Sequence, residues 1–155
     1  MKKWLWCILL LAVIPLLGIG SLGGRDVGTL RPVRVLEAQQ KNGQLFLVAD
    51  TEDRGRGETS EQAVASMNES SQNYVFLETA QVLLLREGTE RYIPELMQYL
   101  RPSCSVCAAT GEMDLSTVAK YLKQHPPQLT LGEYAAGKQE LPRLISEGGK
   151  MQLVQ

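Results

Sequence analysis

The sequence predicts an α+β domain, in which helices pack on a mixed β-sheet, preceded by one N-terminal apolar helix. Three observations predict this class: an Asn-Gly turn between two strand-like runs, a continuous apolar run of strand length, and apolar residues at helical spacing around that run. The predicted order of elements is β-hairpin, α, β, α, β, α.

The chain divides into four segments by composition. These are a signal-anchor or signal peptide at 1–24, a linker at 25–32, the α+β domain at 33–127, and a C-terminal tail at 128–155.

The N-terminal segment is predicted to direct the domain out of the cytoplasm. Lys2 and Lys3 precede a run without charge, Trp4 to Gly24. Two interpretations stay open: a signal peptide cleaved after small residues near 18–23, or an uncleaved anchor, since about 20 apolar residues span a bilayer. The lysines favour the cytoplasmic side for the short tail. We therefore expect a membrane-anchored chain with its domain on the extracytoplasmic side, or a secreted one if the segment is cleaved.

The domain begins with the hairpin. Strands are predicted near 33–39 and 44–50, joined at Asn42-Gly43. The charged, glycine-bearing stretch 51–58 is predicted to be a loop.

A helix follows this loop. Thr59 and Gln62 have the spacing of a capping box, so Thr59 is the predicted N-cap of a helix that fades near 68–71. Gln81 to Leu85 is then the apolar run, and it predicts a strand buried on both faces.

Three further elements complete the prediction. Helical spacing predicts a helix that ends before Pro102, and a strand is predicted within 103–110. Asp114 or a neighbour caps the last helix, which Pro126 ends. The tail carries a predicted short helix near 140–145. The residues expected to be buried together are Val82, Leu84, Ile93, Leu96, Leu100, Val118 and Leu122.

The order of elements resembles a known family. The matching stretches are Glu58-Thr59 leading a helix through Ala63 and Met67, the run from Phe76 to Leu84, Gly88 with the helix to Leu100, and the strand after Arg101. In this order they are similar to the N-terminal domain of spore germinant receptor C subunits, the Ger(x)C-type lipoproteins, over residues 25–124.

This resemblance implies a non-catalytic role beside membrane-embedded receptor subunits in spore germination or sporulation, without a cofactor. One departure concerns the anchor. Gly24 stands where the family has a lipidated cysteine, which favours a transmembrane helix as the anchor.

Charge and cysteine content exclude some classes of protein. The 155 residues carry 16 basic and 17 acidic side chains, and this balance argues against nucleic acid as a partner. Of three cysteines, Cys7 lies in the apolar segment, so the domain is no disulfide-dense scaffold.

One motif could carry chemistry. Cys104-Ser105-Val106-Cys107 has the spacing of a redox pair, and thiol-disulfide exchange is the alternative function. Residues three apart in a strand point to opposite faces, which favours two structural thiols.

The remaining candidates favour no reaction. His125, the single histidine, precedes Pro126 at a helix end and has too few partners for zinc. The acidic residues of the first long loop are mixed with arginines, as in a solvated surface. We therefore expect no catalytic residue, metal or cofactor. The predicted partner is an integral-membrane or envelope protein, and no pattern indicates a small-molecule ligand.

Overall fold

A computed structural model describes residues 30–137 and 140–155. The predicted N-terminal segment and Cys7 lie outside these ranges. Within them, no helix combines the length and the apolar character that crossing a bilayer requires.

The predicted mixed sheet with packed helices is confirmed. The strands are β1 (Leu30–Pro32), β2 (Val35–Lys41), β3 (Gln44–Ala49), β4 (Arg54–Gly57), β5 (Tyr74–Phe76), β6 (Val82–Leu85), β7 (Ser105–Thr110), β8 (Arg143–Glu147) and β9 (Lys150–Val154). The helices are α1 (Ser60–Ser70), α2 (Ile93–Leu96), α3 (Leu115–Gln124) and α4 (Leu131–Ala135), with 3₁₀ turns at Leu77–Thr79 and Glu90–Tyr92.

Seven strands form the main sheet, in the order β4-β3-β2-β6-β7-β8-β9. Strands β2, β6, β7 and β8 are parallel to one another, and antiparallel strands flank them at both edges. Strands β1 and β5 form a separate parallel pair, so the predicted linker already contains a strand.

The hairpin β2–β3 is confirmed. Lys41 pairs with Gln44, which leaves Asn42 and Gly43 as a two-residue turn with φ values of 52° and 80°. Positive φ at both central positions is typical of the tight turns that suit twisted antiparallel strands. This turn fixes the register of the hairpin.

Helix α1 starts at the predicted N-cap. The Thr59 hydroxyl accepts a hydrogen bond from the backbone N–H of Gln62 at 3.3 Å. The Gln62 side chain in turn accepts a hydrogen bond from the N–H of Glu58 at 3.0 Å. In an ordinary capping box the donor would be the N–H of Thr59, the N-cap residue. Two backbone donors at the helix start are therefore satisfied, as in a capping box displaced by one residue.

The prediction of a loop over 51–58 is wrong for its second half, which is strand β4. A Cβ atom at Gly55 would overlap the carbonyl oxygen of Ala63, and one at Gly57 would overlap Gln62. Gly55 and Gly57 therefore mark the place at which α1 crosses close to β4. Arg54 and Arg56 point to the other face of the sheet, because side chains alternate along a strand.

Two hydrophobic clusters cover the two faces of the sheet. The front cluster packs the sheet against α1, α2 and α4, and the back cluster packs it against α3. All residues of β6 are buried, as predicted. The predicted core residues are all buried, but not together: Ile93, Leu96 and Leu100 belong to the front cluster, and Val82, Leu84, Val118 and Leu122 to the back cluster.

The C-terminal prediction is also corrected. Residues 143–147 are strand β8, where we predicted a short helix near 140–145, and the short helix is α4. Leu144 is buried in the back cluster, and Met151 and Leu153 of β9 pack against that cluster. Pairing with β7 and burial on one side thus select the extended conformation.

The second predicted helix is shorter than expected, since α2 spans one turn.

Shortening a buried leucine side chain in either cluster should destabilise the domain. We expect Leu84→Ala in the back cluster and Leu96→Ala in the front cluster each to lower the free energy of unfolding by about 2 to 5 kcal/mol. Val154→Ala, at a side chain that is 45% exposed, is the matched control. Denaturant unfolding followed by circular dichroism measures the effect, and an unchanged midpoint for either leucine variant would contradict the placement of that residue.

The close approach of α1 to β4 gives a second prediction. Gly55→Ala should destabilise the domain by about 1 to 3 kcal/mol, because the added methyl group has no space. A Cβ at Gly132 of α4 would meet only an ordinary contact, 3.4 Å from the Pro102 carbonyl oxygen. Gly132→Ala should therefore change stability by less than about 1 kcal/mol. Equal thermal midpoints for the two variants would rule out the tight packing of α1 on β4.

Candidate functional site

The two cysteines of the predicted redox pair lie in different clusters. Cys104 precedes β7 and is part of the front cluster, whereas Cys107 lies within β7 and is part of the back cluster. Both are free thiols, 2% and 0% exposed. The sheet thus lies between the two side chains.

Burial also controls the chemistry of these thiols. Removal from water raises the pKa of Cys104 to about 12 from an ordinary value of 9.0. Burial, with the nearby Cys104 as a smaller cause, raises the pKa of Cys107 to about 12. The thiolate is the nucleophile in disulfide exchange, and burial leaves little of either side chain in that form near neutral pH.

His125 has a local structural role. It follows the last residue of α3, where its N–H donates to the carbonyl oxygen of Tyr121 at 3.0 Å. Its ring stacks on the Tyr121 ring with centroids 4.6 Å apart. In the described ranges, no group of three or more His, Cys, Asp or Glu side chains is arranged to hold a metal ion.

Two carboxylates of the segment after β3 bond to neighbouring parts of the chain. Asp50 accepts hydrogen bonds from the N–H groups of Arg34 (3.0 Å) and Val35 (3.3 Å), and so ties the end of β3 to the start of β2. Asp53, which is buried, forms an ion pair with Arg31 of β1 at 3.5 Å. These acids are engaged in holding the chain.

An ion pair joins the middle of β2 to the carboxyl ends of β6 and β7. Glu37 of β2 pairs with Arg86, which follows β6, and their side chains are 4% and 22% exposed. The same guanidinium donates to the carbonyl oxygen of Gly111, just after β7, and reaches that of Ala109 at 3.5 Å. Gln39 donates to the second carboxylate oxygen of Glu37 at 2.8 Å.

These contacts link three parallel strands. Both oxygens of Glu37 accept hydrogen bonds, and the Arg86 guanidinium balances its charge. Breaking such a pair would leave an uncompensated buried charge. Sequence reasoning missed the pair, which joins positions 49 apart. The available signal was one acid within the apolar first half of β2, Val35 to Ala38.

The structure also reveals a surface that helices leave open. No buried residue of the back cluster comes from β3 or β4, as far as the described residues show. The back face of β3, of β4 and of the end of β2 therefore carries exposed and half-buried side chains: Gln39, Lys41, Phe46, Val48, Arg54 and Arg56.

The start of α3 turns this surface into a groove. Residues 113–116 line it beside α3, Ser66 and Ser70 of α1 line it at the edge of the sheet, and the volume of this open pocket is about 860 Å³. We call this space the basic groove, after Lys41, Arg54 and Arg56. These three cations are exposed, and neither ion pair found within 30–137 and 140–155 involves them. The same holds for the carboxylates of Asp50, Glu52 and Asp114, which also line the space.

The sequence carried a signal for the basic groove. Arg54-Gly55-Arg56-Gly57 alternates with the period of a strand, glycine on one face and arginine on the other. We predicted a loop because glycine and charge are typical of loops. Only the contact of the glycines with α1 explains the alternation.

The buried thiols lead to a prediction about reactivity. At pH 8, Cys104 and Cys107 should react with a thiol reagent roughly a thousandfold more slowly in the folded chain than in denaturant, because three pKa units separate the two states. A Cys7→Ser background isolates the two side chains, and mass spectrometry counts the labels. Rapid labelling of one folded thiol would show that it is accessible and ionised.

Comparisons of the chain with models of protein families, with curated proteins and with solved structures find no match in any of the three. The resemblance to germinant receptor C subunits therefore rests on the sequence pattern alone.

Proposed function

We propose that this chain is a non-catalytic interaction domain, tethered to a membrane on the extracytoplasmic side, that binds an integral-membrane or envelope protein. In line with the resemblance, the assembly would be one of spore germination, similar to a germinant receptor. The observation that carries the proposal is the basic groove, an open sheet face on which charged side chains of both signs surround the half-buried Phe46 and Val48.

The burial and the contacts of the potentially reactive side chains support a role without catalysis. Catalysis needs a nucleophile or an acid-base pair that can reach a substrate. The thiols of Cys104 and Cys107 are buried with raised pKa values, Glu37 is paired with Arg86, and His125 caps a helix. These contacts explain each group as part of the fold.

The sequence supports the tether. Lys2 and Lys3 followed by an uncharged run of spanning length favour export with retention at the membrane. Strand β1 begins at Leu30, only a few residues beyond that run. A short tether keeps the domain close to the bilayer, and this raises the effective concentration of a membrane-bound partner.

The experiment uses the full chain in its native membrane. Protease added from outside should digest the domain, and chemical crosslinking should join the chain to an integral-membrane or envelope protein. The variant Cys104→Ala with Cys107→Ala should give the same crosslink, since the thiols are not the working groups. The purified full chain should reduce no disulfide substrate.

Two results would overturn the proposal. Disulfide reductase activity that Cys104→Ser abolishes would favour the alternative, an extracytoplasmic thiol-disulfide protein using Cys104 and Cys107. Recovery of the domain as a soluble form beginning near residue 21 or 24 would refute the tether and indicate a cleaved signal peptide.

A further inference from the structure

We propose that Asn42, at the tip of the β2–β3 hairpin, is a site of spontaneous modification, where loss of the side-chain amide leaves an aspartate or an isoaspartate. This inference goes beyond the proposed function and does not depend on it.

The reaction needs only the chain and water. The backbone nitrogen of Gly43 attacks the side-chain carbonyl carbon of Asn42, and the new C–N bond closes a succinimide ring. The C–N bond of the side-chain amide breaks, and its nitrogen leaves as ammonia with the proton that the Gly43 nitrogen loses. Water then opens the ring. Attack of water on the side-chain carbonyl carbon gives aspartate, whereas attack on the main-chain carbonyl carbon gives isoaspartate, whose backbone runs through the former side chain.

Neither reacting group is shielded or engaged by the rest of the fold. Asn42 and Gly43 are both exposed, and a Cβ atom added at Gly43 would meet nothing within 4 Å. Glycine also has no side chain of its own to hinder the approach of its nitrogen. Within 30–137 and 140–155, no hydrogen bond holds the Asn42 side-chain amide or the Gly43 N–H. The amide and the nitrogen that attacks it are therefore both available.

The chain has two other asparagines, and both differ from Asn42 in a way that slows this reaction. The Asn68 side chain donates to a backbone carbonyl oxygen of α1 at 3.2 Å and accepts from the N–H of Val75 at 3.0 Å, so both of its polar atoms are engaged. Asn73 is exposed, but the next residue is Tyr74, whose side chain hinders the backbone nitrogen. Asn42 alone combines exposure with a following glycine.

The hairpin turn is where the isoaspartate product has its effect. Lys41 pairs with Gln44, so only two residues connect β2 with β3, and both have positive φ. Isoaspartate adds one carbon atom to the backbone of this turn. The longer turn no longer matches the register that places Leu45 and Leu47 in the front cluster. Isoaspartate therefore weakens the hairpin, whereas aspartate, which is also favoured before glycine in such turns, preserves it.

The test follows the three asparagines over time in the purified full chain, folded, at mildly acidic and at mildly alkaline pH. Peptide mapping by mass spectrometry measures the loss of each amide, and electron-transfer fragmentation distinguishes isoaspartate from aspartate. The expected result is that Asn42 reacts severalfold faster than Asn73, while Asn68 stays intact. The loss should be faster at alkaline pH, since the deprotonated backbone nitrogen is the attacking form.

A parallel incubation in denaturant makes the result decisive. An Asn42 amide that persists in the folded chain but is lost in denaturant would overturn the proposal, because the turn would then protect the side chain. Equal rates at Asn42 and Asn73 in the folded chain would overturn it as well.

Two variants separate the reaction from its effect on the fold. Asn42→Gly removes the amide and keeps a turn sequence that favours positive φ at both positions. Its thermal midpoint should stay constant during incubation, whereas that of the unsubstituted chain should fall as isoaspartate accumulates. Asn42→Asp carries the charge of the products on an unchanged backbone, so a fresh sample should have nearly the midpoint of the fresh unsubstituted chain.

Other outcomes would contradict the effect on the hairpin. An equal fall in the midpoint of Asn42→Gly would place the damage elsewhere in the chain. A fresh Asn42→Asp chain as unstable as the incubated unsubstituted chain would show that the added charge, and not the longer backbone, weakens the domain.

Discussion

Burial of strand β6 on both faces is the constraint from which the architecture follows. Leu83 and Leu85 enter the front cluster, while Val82 and Leu84 enter the back cluster. A strand apolar on both sides must lie inside a sheet that is covered on both sides. The parallel neighbours β2 and β7 and helices on the two faces meet this requirement. Arg86 follows the strand directly, where burial ends, and there the ion pair with Glu37 joins three strands.

The coverage of the back face is incomplete, and this creates the basic groove. Helix α3 is the one described helix that packs in the back cluster, and the buried residues of that cluster reach no further than β2. Strand β4 then has two different sides. Its glycines permit contact with α1, and its arginines face the open side. Tight packing on one side therefore positions charge on the other.

Burial divides the potentially reactive side chains, which are thiols inside the fold, from the charged side chains that remain in water. Desolvation raises the pKa values of Cys104 and Cys107, and this suppresses the thiolate on which redox chemistry depends. Lys41 and the β4 arginines remain in water with their charges unpaired, within the described residues. The proposed interaction domain would use such exposed side chains, whereas the thiols serve the fold.

The sequence by itself determined the elements whose signals are local. Asn42-Gly43 adopts the positive φ angles of a hairpin turn, Thr59 and Asp114 cap α1 and α3, and the uninterrupted apolar run is β6. Only the tertiary structure decided the division of the core into two clusters, the strand at 54–57, the C-terminal strands, and the pairing of Glu37 with Arg86. The physical reason is the range of the interactions. Turns and caps are satisfied within a few residues, whereas a glycine-rich or weakly apolar stretch becomes a strand only when distant parts of the chain cover it.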